Sequence, residues 1–143
     1  MAGCLLFLGD VNSSIVSLSV TTELMRVLIV DDENALLFAL SDYLTFRGCR
    51  VDCAEGMEDA RALVHHLHYD AVVVGVNVEN VQTARALAID ARRRFPVARL
   101  VALATDTAPL SDRGIDLTEF DQVFARHLPT VQLARVLCHS IAA

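Results

Sequence analysis

The chain predicts a doubly wound α/β domain, a five-stranded parallel sheet of order 2-1-3-4-5 with helices on both faces. Two short runs, Val27-Leu28-Ile29-Val30 and Ala71-Val72-Val73-Val74, are apolar without alternation, as strands covered on both faces are. Between and after them the apolar spacing changes to that of helices. Strand and helix patterns then alternate five times, and right-handed crossovers turn that series into one open sheet.

Arg26–Val30 is the first strand. Asn34–Arg47 is the first helix, because Leu36, Leu37, Leu40 and Leu44 recur at helical spacing and Gly48 stands at the C′ position. Cys49–Ala54 is a short second strand. Glu58–His68 is a helix expected to turn Ala62, Leu63 and Leu67 inward. Ala71–Val76 is the most apolar strand and therefore central. Val81–Phe95 is a third helix, stopped by Pro96. Val97–Ala104 is the fourth strand and Asp121–Ala125 a weaker fifth. Thr130–Ile141 closes the domain as a helix with Val131, Leu133, Ala134 and Leu137 inward. Residues 105–120 carry Pro109, Gly114 and scattered acids, so any helix there is short or irregular.

At 143 residues the chain is one domain by length. Residues 26–143 make that domain, and residues 1–25 are expected to be a poorly ordered N-terminal extension, with an extra strand at Ile15–Val20 as the alternative. The segment Cys4-Leu5-Leu6-Phe7-Leu8 is apolar, but no basic residue precedes Arg26, so it does not match a secretory signal. No apolar run reaches membrane-spanning length. A net charge of −6 argues against a nucleic-acid surface. All 12 basic residues are arginine, which excludes any mechanism that needs a lysine ammonium. Cys49 and Cys53 lie at opposite ends of a strand, about 13 Å apart, beyond the roughly 7 Å a disulfide allows. Reduced thiols and a cytoplasmic location are expected.

In this topology strands 1 and 3 meet at the switch point, where ligands of open α/β sheets bind off the carboxyl ends of the strands. The residues there are Asp31-Asp32-Glu33 and Gly75-Val76-Asn77. Two acids at one strand end are half of a hard-cation site, and the neighbouring strand offers a glycine. These residues carry a family resemblance. Over residues 26–141 the chain resembles the receiver domain of bacterial two-component response regulators, a flavodoxin-like fold. Val27-Leu28-Ile29-Val30-Asp31-Asp32-Glu33, Gly48, Tyr69-Asp70 and Pro96 match the family in spacing.

The resemblance implies roles position by position. Asp31 and Asp32 correspond to the acid pair that holds Mg2+, one directly and one largely through water. Gly75 stands at the phosphoacceptor aspartate and Asn77 at the backbone carbonyl ligand. Ala104 stands at the hydroxyl residue, with Thr105 one place late, Val123 at the switch aromatic and Arg126 at the invariant lysine. His127 replaces the following proline. The acid pair and scaffold are kept; acceptor, hydroxyl, lysine and aromatic are not.

Phosphoryl transfer to a carboxylate needs the nucleophile, a cation and a second positive charge. Gly75 removes the first. The expectation is therefore a non-enzymatic, degenerate receiver that takes no phosphoryl group and serves two-component (phosphorelay) signalling as a protein-interaction module. It holds no cofactor, or Mg2+ weakly at Asp31 and Asp32. The reading favoured for that pair is structural, capping the first helix. Expected partners are a signalling protein, such as a histidine kinase or output protein, or a second copy of the chain. The expected contact face carries Val123, Arg126, His127, Gln132 and Arg135. The alternative function is a competent receiver with Mg2+ on Asp32, Asp31 or Glu33 as relocated acceptor, and Arg126 as counter-charge. A nucleotide site ranks last for want of a glycine-rich loop. His65, His66 and His68, and the run Arg92-Arg93-Arg94, read as helix-end residues rather than as metal or anion sites.

Overall fold

The computed structural model describes residues 25–104, 117–126, 129, 131, 132, 135–137 and 139. Its elements are β1 (Arg26–Val30), α1 (Asn34–Phe46), β2 (Arg50–Ala54), α2 (Met57–His66), β3 (Ala71–Val76), α3 (Val81–Arg94), β4 (Arg99–Ala104) and β5 (Gln122–Ala125). Residues 131, 132, 135–137 and 139 are helical, within the expected closing helix; of its expected inward residues Leu137 is buried, Val131 is exposed, and Leu133 and Ala134 lie outside the described residues. The strands form one sheet of order β2-β1-β3-β4-β5, and every pairing is parallel. The fold class is the one the alternating patterns predict. The N-terminal extension with its Ile15–Val20 alternative, residues 105–116 and His127 lie outside the described residues.

The unbroken apolar strands are buried because both faces are covered. Along β1, Leu28 and Val30 pack with Ala60, Val64, Ala84 and Leu87 of α2 and α3. Val27 and Ile29 pack on the other side with Leu36, Leu37, Leu40 and Leu44 of α1 and with Leu137. α1 ends as its glycine predicts. Gly48 takes φ 97°, its N–H donates to the Thr45 carbonyl, and the Cys49 N–H donates to Leu44. That pair of bonds is the Schellman termination.

Several boundaries differ from expectation, most by one residue. α2 stops at His66 with Leu67 extended, and its buried residues are Ala60 and Val64. Of the residues expected to face inward, Leu63 and Leu67 are half-buried and pack on the core, while Ala62 is exposed. β4 begins at Arg99, because Phe95–Ala98 forms a turn in which Val97 is 97% exposed. β5 begins at Gln122.

Arginines tie the helices to the sheet. Arg92 donates to the Pro96 and Ala98 carbonyls and to Asp121. Arg94 donates to the Val64 and His65 carbonyls, the last turn of α2. Arg85 makes a two-pronged bond to Glu119, both contacts at 2.9 Å, and Arg61 pairs with Asp90. Arg85, Asp90 and Arg92 of α3 are thus tertiary ties. Among the described residues no helix is long and apolar enough to cross a membrane.

Candidate functional site

The site forms where β1, β3 and β5 end on the same side of the sheet. Beyond Val30 the chain keeps its ladder for one more bond, as the Asp31 N–H donates to the Ala54 carbonyl at 3.0 Å. This draws Asp31 inside, and it is the buried polar residue among the described core. Its Oδ1 accepts the Glu33 N–H at 2.9 Å and Nη2 of Arg126 at 2.6 Å. Its Oδ2 is buried with no hydrogen-bond partner.

Gly75 explains where that oxygen goes. A Cβ built at Gly75 would overlap Asp31 Oδ2 and lie 3.0 Å from Cγ. The Asp31 carboxylate thus occupies space that any side chain at position 75 would need. The resemblance sets Gly75 at the expected acceptor position; in the structure it is the seat for its neighbour's carboxylate.

Arg126 supplies the positive charge. Its N–H donates to the Ala104 carbonyl at 2.9 Å, one step beyond β5. From there Nη2 lies 2.6 Å from Asp31 Oδ1, 2.8 Å from Glu33 Oε1 and 4.0 Å from Asp32 Oδ1. The Asp31 side chain is 1% exposed and that of Arg126 16%, while Asp32 and Glu33 reach into solvent. Burial pushes the Asp31 carboxyl above its ordinary value. The Glu33 N–H and Arg126 pull it back, and the charges of Asp32 and Glu33 push it up again.

The far wall is the turn after β3. Asn77 Oδ1 accepts the N–H groups of Glu79 and Asn80, and Asn80 Oδ1 accepts the Asn77 N–H in return. The Asn80 amide also donates to the Gly75 carbonyl at 3.1 Å. This reciprocal pair fixes the backbone at the position where the family's carbonyl ligand is expected. The groove between these walls holds about 220 Å³ and is also lined by Glu55, Gly56 and Met57 at the start of α2.

Two expectations need correction or relocation. The acids do not cap α1 in the expected way. Glu33 is the N-cap residue, it makes no side-chain cap bond, and no acid lies in the first turn. Asp31 binds the N–H of that N-cap residue instead, while being held in the pocket by Arg126. Arg126, expected on the outer contact face, turns inward to the acids. Val123 remains exposed, paired in register with Ala102, and Gln132 and Arg135 are exposed. Ala104 is buried between Val76 and Ala125 and offers no hydroxyl. Glu33, considered before only as a relocated acceptor, proves to be a second anchor for Arg126. Asn80 was missed, although an asparagine directly before a helical apolar period is a capping signal.

A divalent ion does not fit this arrangement. Asp31 Oδ1 already carries two donors, Oδ2 is packed against Gly75, and the guanidinium stands among the three carboxylates. Among the described residues no group of three or more histidine, cysteine, aspartate or glutamate side chains is arranged to hold a metal.

No protein-family model matches the chain, and no curated protein sequence does. Solved structures match over most of its length. A CheY-like response regulator receiver domain from Methanospirillum hungatei aligns with TM-score 0.68 at 19% identity, over 82% of this chain and 94% of its own. The response regulator TrrA of Thermotoga maritima, solved with Mg2+ and BeF, gives TM-score 0.65 at 21% identity over 82% and 99%. An orphan response regulator of H. pylori gives 0.65 at 18% identity over 82% and 96%. The fold is therefore that of two-component receiver domains. At such identities the likeness fixes the fold, and the chemistry rests on this chain's own residues.

Proposed function

We propose that the chain is a receiver-fold signalling module that takes no phosphoryl group on an aspartate and acts by binding a protein. One observation carries the reading: Gly75 stands where an acceptor carboxylate is needed, and the Asp31 carboxylate fills the space. Without a nucleophile there is no covalent intermediate to form. With Ala104 in place of a hydroxyl and Val123 in place of an aromatic, the residues that would report phosphorylation are absent as well. What remains is the scaffold and a contact face carrying Val123, Gln132 and Arg135, suited to a two-component partner protein, a histidine kinase or output protein, or to a second copy. The setting proposed for it is cytoplasmic.

Beryllofluoride tests this, because it mimics a phosphoryl group only where a carboxylate receives it. Amide NMR of the full chain with Mg2+, before and after beryllofluoride, is expected to show no beryllofluoride-dependent shifts at Asp31, Asn77 or Ala104. Specific shifts there would defeat the proposal.

The partnerless Oδ2 of Asp31 favours one rival, a relocated acceptor on that carboxylate. It is a poor nucleophile as placed, because Oδ2 is buried against Gly75. A hydroxylamine-sensitive mass gain after treatment with a small phosphodonor would establish the rival.

A further inference from the structure

We infer that Arg126 is the resident cation of this pocket: its guanidinium replaces a divalent ion, and Gly75 is what permits the exchange. The inference rests on the loss of the acceptor and goes further, to what holds the acids in its absence. Three carboxylates converge within 4.0 Å of a single nitrogen, Nη2 of Arg126. Asp31 has lost its hydration and needs a cation beside it, while the exposed Asp32 and Glu33 add to the negative field around it. In this chain the cation is covalently part of the protein.

The residue types fit that role. A guanidinium is planar, permanently charged and weakly hydrated, so it leaves water more readily than an ammonium does. Its Nη2 alone donates to two carboxylates, Asp31 at 2.6 Å and Glu33 at 2.8 Å. A divalent ion would demand near-octahedral oxygen ligands and several waters, and it would have to displace Arg126 from Asp31 Oδ1. Gly75 completes the device. Strands β3 and β4 lie between β1 and β5, so the two partners meet over strand ends. Asp31 leans onto Gly75, where a side chain would hold it away. Arg126 and Gly75 therefore act as a pair, one supplying the charge and the other the room. The consequence is a pocket whose occupancy does not vary with divalent-ion concentration, and whose filled state ties the end of β5 to the end of β1.

The test is Mg2+ titration of the full chain, followed by amide NMR at Asp31, Asp32 and Asn77, for the native protein, Arg126→Met and Arg126→Lys. The native chain is expected to show no saturable shifts at millimolar Mg2+. Arg126→Met keeps the aliphatic stem and is expected to bind Mg2+ at least about tenfold more tightly than the native chain, since one nearby positive charge is gone. Arg126→Lys keeps the charge on a compact, more strongly hydrated ammonium, and is expected to fall between them. It decides the matter if the methionine variant does not fold. Saturable binding by the native chain, or no gain in either variant, overturns the inference. Its failure is separable from that of the functional reading. Native Mg2+ binding with no beryllofluoride response removes the resident-cation role and leaves the missing acceptor; a beryllofluoride response removes the functional reading itself.

Discussion

Two sets of arginine ion pairs sit at the two ends of β5, and they differ in what they cost. Arg85–Glu119 and Arg92–Asp121 fasten α3 to the approach of β5, with side chains 19–37% exposed. Both ends of each pair keep contact with water, so little is lost on forming them and little is gained. Arg126–Asp31 has one partner at 1% exposure and the other at 16%. There the carboxylate has given up its hydration, and only the guanidinium and one N–H replace it. The same chemistry is a surface fastening in one place and the condition for tolerating a buried charge in the other.

The largest expected effect that sharpens this contrast is Arg126→Met. It strands the Asp31 carboxylate and should cost about 3 kcal/mol, the low end for breaking a buried pair because Arg126 keeps some exposure. Chemical denaturation measures it. A loss no greater than that of a surface pair would make the two regions alike. Next is Gly75→Ala. The added Cβ overlaps Asp31 Oδ2, so the carboxylate must swing away from its seat, at about 1–3 kcal/mol. A neutral result would mean that the seat is not tight. The smallest is the Arg85–Glu119 coupling, expected below about 1 kcal/mol in a double-mutant cycle.

Its pH dependence distinguishes it from the buried pair by sign. Arg85 holds the Glu119 carboxyl below its ordinary value of 4.5. That contribution is complete above the ordinary value and is lost as pH falls through the lower, folded one. Asp31 is shifted the other way. Its burial penalty is present at neutral pH and relieved as pH falls through the raised folded value. Comparing acid unfolding of Glu119→Gln with the native chain isolates the first effect.

Much of this was readable in advance, for reasons that differ by residue. β1 and β3 are bounded correctly because Val27–Val30 and Ala71–Val76 run unbroken by polar residues and are buried on both faces. α2 was misjudged because alanines mark a face weakly and Leu67 continues the spacing after the backbone has left the helix. Val97 extends β4 on paper, but it lies in a turn and is nearly all exposed. Gly75 is conspicuous as an absence within a spaced pattern. Its role as a seat is not, since that depends on Asp31 folding over it. The Arg126–Asp31 bond joins residues 95 positions apart, across strands that do not pair. The sequence shows charges at both ends of that bond and nothing of its length. The asparagine pair at Asn77 and Asn80 was within reach as a capping signal, yet its bond to the Gly75 carbonyl belongs to tertiary geometry.

One bond at the other edge has an optical consequence. The Tyr69 hydroxyl, fully buried, donates to Asp52 Oδ2 at 2.7 Å and so links β3's lead-in to the edge strand β2. Burial first and then that carboxylate raise the phenol well above its ordinary value of 10. The chain has no tryptophan and only two tyrosines, so near-ultraviolet light is absorbed chiefly by these phenols. Delayed appearance of Tyr69 phenolate absorbance in alkali therefore reports, without any added label, whether β2 is still attached.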